Sequence, residues 1–117
     1  MNIVIIGTGY VGLVTGVGLA ELGNTVSFID LDAEKIKKLN EKELPFFEPD
    51  LDKYFSKIDN FERMSFHSNY EDLNWDNVEV VFICVQTPNN TKTNSVDTKF
   101  LESAVSKIAE LNNKDII

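Results

Sequence analysis

A single cysteine, Cys84, and a single histidine, His67, stand in 117 residues. One thiol cannot close an internal disulfide, so a reducing compartment, the cytoplasm, is the expected setting. One histidine with no cysteine or second histidine spaced to share an ion leaves no zinc-type site, and no metal is expected. Basic residues are also short. Lysine and arginine number 11 against 19 aspartates and glutamates, for a formal net charge of −8. A duplex is held mainly by neutralising its phosphates, so nucleic acid is not an expected partner. Small anions stay open to the chain, because backbone N–H groups and a helix dipole hold phosphate without a basic surface. No apolar run approaches the roughly 20 residues that span a bilayer. The N-terminus carries neither a basic n-region nor a cleavage site, and no membrane association is expected. Repeats and low-complexity tracts are missing too. What remains is an ordinary globular composition, 43% hydrophobic and 26% charged, of a length that suits one domain.

Apolar runs alternate with segments of helical period. Ile3 to Ile6 is short, β-branched and apolar on both faces, as a central parallel strand requires. A helix follows over Val11–Leu22, stopped by Gly23-Asn24. Thr25–Ile29 reads as a second strand ending at Asp30, and Asp32 can cap a helix from Ala33 to about Asn40. Leu44 to Asp50 holds two prolines and reads as a loop. Leu51–Ile58 is expected as a short helix and Phe61–Phe66 as a strand. Val78–Val85 is the second fully apolar strand, followed by an Asn- and Thr-rich loop from Gln86 to Val96. Asp97 is expected to cap a last helix whose apolar positions, Phe100, Leu101, Ala104, Val105, Ile108 and Leu111, form one stripe at period 3.6. Asp115-Ile116-Ile117 reads as the start of a fifth strand beside Val78–Val85, so residues 1–117 are expected to be a domain cut within that strand. Strand–helix alternation with short links implies parallel pairing and right-handed crossovers, the doubly wound α/β class of the Rossmann fold.

Gly7-Thr8-Gly9-Tyr10-Val11-Gly12 fits G-x-G-x-x-G. The pattern alone is common, but here it follows a strand and opens a helix, the context in which it binds dinucleotides. Gly7 permits the tight turn, Gly9 lets backbone approach a pyrophosphate, and Gly12 lets the helix pack closely on the strand. Phosphates would meet the N–H groups of the first helical turn at the positive end of its dipole. Asp30 ends the second strand, roughly twenty residues on, where a carboxylate accepts hydrogen bonds from the adenosine ribose. It would repel a 2′-phosphate, and no arginine stands near it, so NAD is expected over NADP.

Longer segments resemble one family. Gly7 to Val14 is similar to the opening of the UDP-glucose and GDP-mannose dehydrogenases, and Ala20-Glu21-Leu22-Gly23 to the end of their first helix. Asp30-Leu31-Asp32 with Lys35-Ile36, then Leu44-Pro45-Phe46-Phe47-Glu48-Pro49, then Thr87-Pro88 follow in the family's order. The resemblance implies a Rossmann domain that binds NAD, with Tyr10 and Val11 offering amides to the pyrophosphate. It also places Asp30 on the adenosine ribose, Lys35 beside it or the adjoining phosphate, and Thr87 along the cofactor. The Glu48-Pro49 loop is a family element with no contact assigned. Asp50 departs from the glycine usual after Glu-Pro, and acetylmannosamine-type relatives share Glu-Pro-Asp-Leu. Asn94-Ser95-Val96-Asp97, followed by Phe100, departs from a family loop that ends in Asp-x-x-Tyr. The Thr8 and Val11 form of the turn favours the UDP-glucose branch.

Members of the family oxidise the C6 alcohol of a nucleotide sugar to a carboxylate in two NAD-dependent steps, through a thiohemiacetal and a thioester on a cysteine. The resemblance puts that cysteine, its assisting lysine and the dimer-forming helix beyond residue 117. No catalytic residue is therefore expected within this chain, a nucleotide sugar is the partner of the whole enzyme, and a homodimer is its expected assembly. Cys84 lies in an apolar strand and is expected to be an inert thiol. His67 is expected at the surface or in packing. The carboxylates Glu71, Asp72 and Asp76 around Trp75 read as a solvated turn, and Asp50 and Asp52 lack anything that would raise a pKa. Two other readings share the strand–turn–helix opening: a nucleotide-sensing regulatory Rossmann module, and a hydroxyacid or 6-phosphogluconate-type dehydrogenase. Both lack the Pro-Phe-Phe-Glu-Pro loop and the Thr-Pro pair.

Overall fold

Four parallel strands form the centre of the molecule. A computed structural model describes residues 1–112 and 115–117. Strands β1 (Asn2–Ile6), β2 (Thr25–Ile29), β3 (Met64–His67) and β4 (Val80–Ile83) lie in the order β3-β2-β1-β4. Register runs Ile3↔Val26 and Ile3↔Val80 on the two sides of β1, and Val26↔Met64 beyond β2. Ile3 to Ile6 are buried on both faces, which is why this run carries no polar alternation. The order reverses between β1 and β4, and a crevice opens at such a switch point at the carboxyl ends of the strands. The architecture is the doubly wound α/β fold expected from the alternation of elements.

One face of the sheet is covered by α1 (Tyr10–Glu21), α2 (Ala33–Asn40), α3 (Leu51–Phe55) and α4 (Ile58–Glu62). Ile3, Ile5, Leu13, Val17, Phe28, Leu39, Phe55 and Phe66 make its core. The opposite face holds Val4, Ile6 and Ile29 under α5 (Lys99–Leu111) and under the connection from β3 to β4. That connection consists of single 3-10 turns at Tyr70–Asp72 and Trp75–Asn77. The Trp75 indole N–H donates to the Tyr70 carbonyl at 2.8 Å within it, so the buried ring leaves no unpaired donor.

Several boundaries differ from expectation, each for a local reason. Helix α1 starts at Tyr10 because Gly9 is its N-cap, and Leu22 is the C-cap before Gly23 takes a left-handed φ of 90°. The single helix expected over Leu51–Ile58 is two, because Lys57 is extended at the entry to α4. Phe61 therefore sits in α4, edge-on to Phe55, and strand β3 begins only at Met64. Within the loop from Gln86 to Val96, Asn89–Asn90 (β5) and Ser95–Val96 (β6) pair as a small antiparallel hairpin. Asp97 is not the cap of α5. Thr98 holds that position, and the Asp97 carboxylate accepts from the Lys99 amide at 3.0 Å. Asp32 does cap α2, accepting from the Lys35 amide at 3.1 Å. Ile117 lies beside β4: its N–H donates to the Glu79 carbonyl at 3.2 Å, and its own carbonyl accepts from Val81 at 2.8 Å.

Candidate functional site

Hydrogen bonds fasten the carboxyl ends of the strands to one another. The Gly7 amide donates to the Ile29 carbonyl at 2.8 Å, Cys84 to Ile6 at 2.7 Å and Asp30 to His67 at 3.1 Å. Above them opens a cleft of about 670 Å³ lined by Gly7, Gly9, Asp30, Lys35, Cys84 and the cleft-facing side of α5. That volume lies within the range of small-molecule and cofactor sites.

The glycine turn is dictated by distance. Gly7 has a φ of 95°, and a Cβ there would stand 2.6 Å from the Cys84 carbonyl oxygen. A Cβ on Gly12 would stand 1.9 Å from the Gly7 carbonyl oxygen. No side chain at either position fits without moving backbone. Gly9 differs: a Cβ there would meet nothing within 4 Å, so its backbone faces open space where the cleft begins. No side chain caps the start of α1, and its first turn has no acidic residue. The first N–H groups of a helix have no carbonyl partner one turn back, so this end presents donors and a positive dipole to the cleft.

Asp30 stands at the end of β2 with its carboxylate fully engaged on one side. Oδ2 accepts from the Thr8 hydroxyl at 2.7 Å, the Thr8 amide at 2.9 Å and the Lys35 ammonium at 3.3 Å. Among the described residues Oδ1 accepts the Asp32 amide alone, at 3.0 Å. A carboxylate offers about four lone-pair sites, so Oδ1 has room for ligand hydroxyls. Burial pushes the Asp30 pKa up, but the amides of Asp32 and Thr8, the Thr8 hydroxyl and Lys35 outweigh it and hold the carboxyl below its ordinary value. The group is ionised at neutral pH and repels a second anion. A backbone open at Gly9, an uncapped helix start and an ionised carboxylate with a spare acceptor together suit the pyrophosphate and ribose of NAD.

The structure thus brings four of the site residues expected from sequence, Gly7, Gly9, Asp30 and Lys35, into one cleft wall. Tyr10, Val11, Gly12 and Thr87 lie outside that wall: Tyr10, Val11 and Thr87 are exposed and Gly12 is buried under the turn. The Tyr10 ring packs on Phe46, centroids 5.7 Å apart. Its hydroxyl pKa is raised, first by a hydrogen bond to Glu48, then by burial and the Glu48 charge. The loop that carries Glu48-Pro49, given no contact from sequence, therefore packs on the first residue of α1 through Phe46. Cys84 is a correction of place. It lies just past β4 and lines the cleft rather than sitting inside the strand. Burial pushes its thiol pKa up, which disfavours the nucleophilic thiolate. His67 shares its Nε2 with the Ser65 hydroxyl at 3.0 Å. Among the described residues no group of three His, Cys, Asp or Glu could hold a metal ion, and no helix is long and apolar enough to cross a membrane.

Sequence reasoning missed the opposite wall. Phe100, Ser103, Ala104 and Lys107 line the cleft from α5, and Tyr70 and Glu71 from the β3–β4 connection. The Lys107 ammonium meets the Glu71 carboxylate at 2.7 Å and joins these two elements. The signal was present, since 100, 103, 104 and 107 follow the i, i+3, i+4, i+7 spacing of one helix face. The acidic turn read as solvated thus supplies one half of an ion pair. Thr8, read from sequence only as a mark of the UDP-glucose branch, is fully buried.

A model of the UDP-glucose/GDP-mannose dehydrogenase family NAD binding domain matches residues 1–117. The chain is similar to UDP-glucose 6-dehydrogenase of Rickettsia bellii (strain RML369-C), with 45% identity over 118 residues, covering 100% of this chain and 26% of that enzyme. Among solved structures, a UDP-D-ManNAc dehydrogenase from Pyrococcus horikoshii is similar with a TM-score of 0.89 and 31% identity, over 100% of this chain and 27% of that one. A ternary complex of GDP-mannose dehydrogenase from Pseudomonas aeruginosa gives 0.83 and 30%, over 92% of this chain and 24% of that one. The chain spans about a quarter of the length of these relatives.

Proposed function

Because the chain belongs to the UDP-glucose/GDP-mannose dehydrogenase family and is its NAD-binding domain, we propose that it holds NAD for oxidation of the C6 alcohol of a UDP-sugar to a carboxylate, with UDP-glucose as the substrate of the whole enzyme. The observation that carries this reading is the convergence of Gly7, Gly9, Asp30 and Lys35 on one cleft at the switch point of the sheet. The choice of UDP-glucose is supported by the 45% identity to an enzyme named for that sugar nucleotide.

NAD bound here supplies the hydride acceptor. The residues of this chain bind and orient it. Gly7 and Gly12 keep the turn tight enough for backbone at Gly9 and the amides of Tyr10 and Val11 to meet the pyrophosphate. Asp30 receives the adenosine ribose, and Lys35 offers a positive charge to that ribose or the adjoining phosphate. Thr87, past the end of β4, would lie along the cofactor, as the family resemblance implies. Cys84 takes no part, and residues 1–117 alone bind NAD without oxidising sugar nucleotide. The reading places the whole enzyme in the cytoplasm as a homodimer, where Cys84 and the family's catalytic cysteine stay reduced.

Calorimetric titration of the 117-residue chain with NAD and with NADP tests the cofactor assignment. NAD should bind more tightly, and Asp30→Ala should weaken it by about 1–3 kcal/mol through the lost charged acceptor. Equal binding of the two cofactors would overturn the role given to Asp30. Sustained NADH formation by this chain with UDP-glucose would overturn the statement that it is catalytically incomplete.

A further inference from the structure

We infer that Thr8 is a positioning residue for cofactor selectivity: its hydroxyl and its amide both hold Oδ2 of Asp30, leaving Oδ1 as the acceptor for the adenosine ribose. The inference rests on the proposed role of Asp30 and adds to it the residue that sets the carboxylate's orientation. Thr8 and Asn60 are the two buried polar residues among those described, and Thr8 has no exposed surface at all. Burying a hydroxyl costs free energy unless it finds a partner. The Thr8 hydroxyl finds an anion at 2.7 Å, while the amide of the same residue donates to the same oxygen at 2.9 Å. Two donors from one residue on one oxygen fix the rotation of the carboxylate about its Cβ–Cγ bond. Lys35 adds a third donor to that oxygen at 3.3 Å, so Oδ2 has little capacity left for ligand. Oδ1 holds one amide, from Asp32.

A threonine suits this position for a second reason. Its β-branch restricts χ1, so a buried methyl fixes the direction in which the hydroxyl points. Thr8 lies in the turn after β1 and Asp30 at the end of β2, so the bond also joins the phosphate turn to the ribose site. Ribose hydroxyls then meet an acceptor already oriented, and a 2′-phosphate meets a carboxylate that cannot rotate away.

Thr8→Val removes the hydroxyl and keeps shape and amide; Thr8→Ser keeps the hydroxyl and frees χ1. Both are compared with the unmodified 117-residue chain by calorimetry with NAD and NADP, and by carbon-13 NMR titration of the Asp30 carboxyl without ligand. Lys35 and Tyr70, the titratable groups facing Asp30, stay unchanged throughout. In Thr8→Val, NAD affinity should fall about 10- to 100-fold, as for a lost hydrogen bond to a charged group. NADP affinity should hold, and the Asp30 carboxyl should titrate at higher pH. Thr8→Ser should restore most of both effects, and Thr8→Val should add nothing in an Asp30→Asn background. Equal losses for NAD and NADP, unchanged NAD affinity, or a serine variant that behaves like valine would overturn the inference. Should Thr8→Val fail to fold, the hydroxyl proton of Thr8 in the unmodified chain decides: slow exchange supports the bond, and free exchange refutes it. An Asp30→Ala chain that binds NAD unchanged would overturn the ribose assignment instead, while the ligand-free titration still reads the Thr8 bond.

Discussion

The two faces of the sheet are finished to different degrees. On the face under α1 to α4, Ile5, Leu13, Phe28, Leu39 and Phe55 are completely buried, and Phe28 stacks on Phe66 with centroids 5.0 Å apart. On the face under α5, Ala104 is the one residue of that helix that is buried, while Phe100 and Val105 are each 50% exposed. The closed face carries the stability that burial supplies, since the gain follows apolar area removed from water. The other face stays open along the carboxyl edge, and the cofactor cleft lies there, between α5 and the 3-10 turns. Within residues 1–117 the cleft borders the less covered face of the sheet, while the core of greatest burial lies on the other.

The contrast is broken most sharply by truncation on the closed face. Phe28→Ala should cost about 3–5 kcal/mol, the range for emptying a buried aromatic site. Val105→Ala, on half-exposed surface, should cost less than about 1 kcal/mol. Urea denaturation of both variants checks the pair, and equal losses would mean that the open face is as well packed as the closed one.

Acid should act next, and through the open face. The Asp30 carboxyl is held below its ordinary value, so its ionised form stabilises the fold above the unfolded carboxylate pKa of about 3.9. That contribution is lost as pH falls through the lower, folded value. Asp30→Asn should therefore flatten the acid limb of a stability–pH profile while leaving the neutral region's shape unchanged. An identical acid limb in the variant would show that the bonds to Asp30 carry no linkage.

The smallest effect is expected on the closed face, at its one strained entry. Asp50 takes a left-handed φ of 65° before α3 and makes no side-chain cap bond. Left-handed backbone costs an L-residue about 1–2 kcal/mol, partly offset by the greater entropy that glycine loses on folding. Asp50→Gly should thus stabilise by about 0.5 kcal/mol, seen as a rise in Tm with unchanged NAD binding.

Much of the fold was legible because it is locally encoded. Strand β1 and the middle of β4 declare themselves as β-branched apolar runs, and α2 by its Asp32 cap and the Ile36 and Leu39 positions. The stripe on α5 was equally plain. The connection between Asp50 and Met64 was not, because Lys57 pairs across 36 positions of chain and Phe61 packs in an aromatic cluster that follows no helical or strand period. Lys57 pairs with Glu21 of α1, and Phe61 packs on Phe55 and Phe66. No period over a dozen residues reports such contacts.

By itself the sequence determined the glycine turn and the acidic residue after the second strand, and with them the cofactor class. Gly7 and Gly12 stand where no Cβ fits, and that demand is written into the residue type. Tertiary structure alone decided the far wall of the cleft, where Lys107 meets Glu71, and the bond from Thr8 to Asp30 across 22 positions of chain. It also packed Phe46 against Tyr10 and carried Cys84 from an expected strand interior to the edge of the site. A hydroxyl or a carboxylate has many possible partners in an extended chain. Only packing, which removes water and brings particular groups within reach, selects among them.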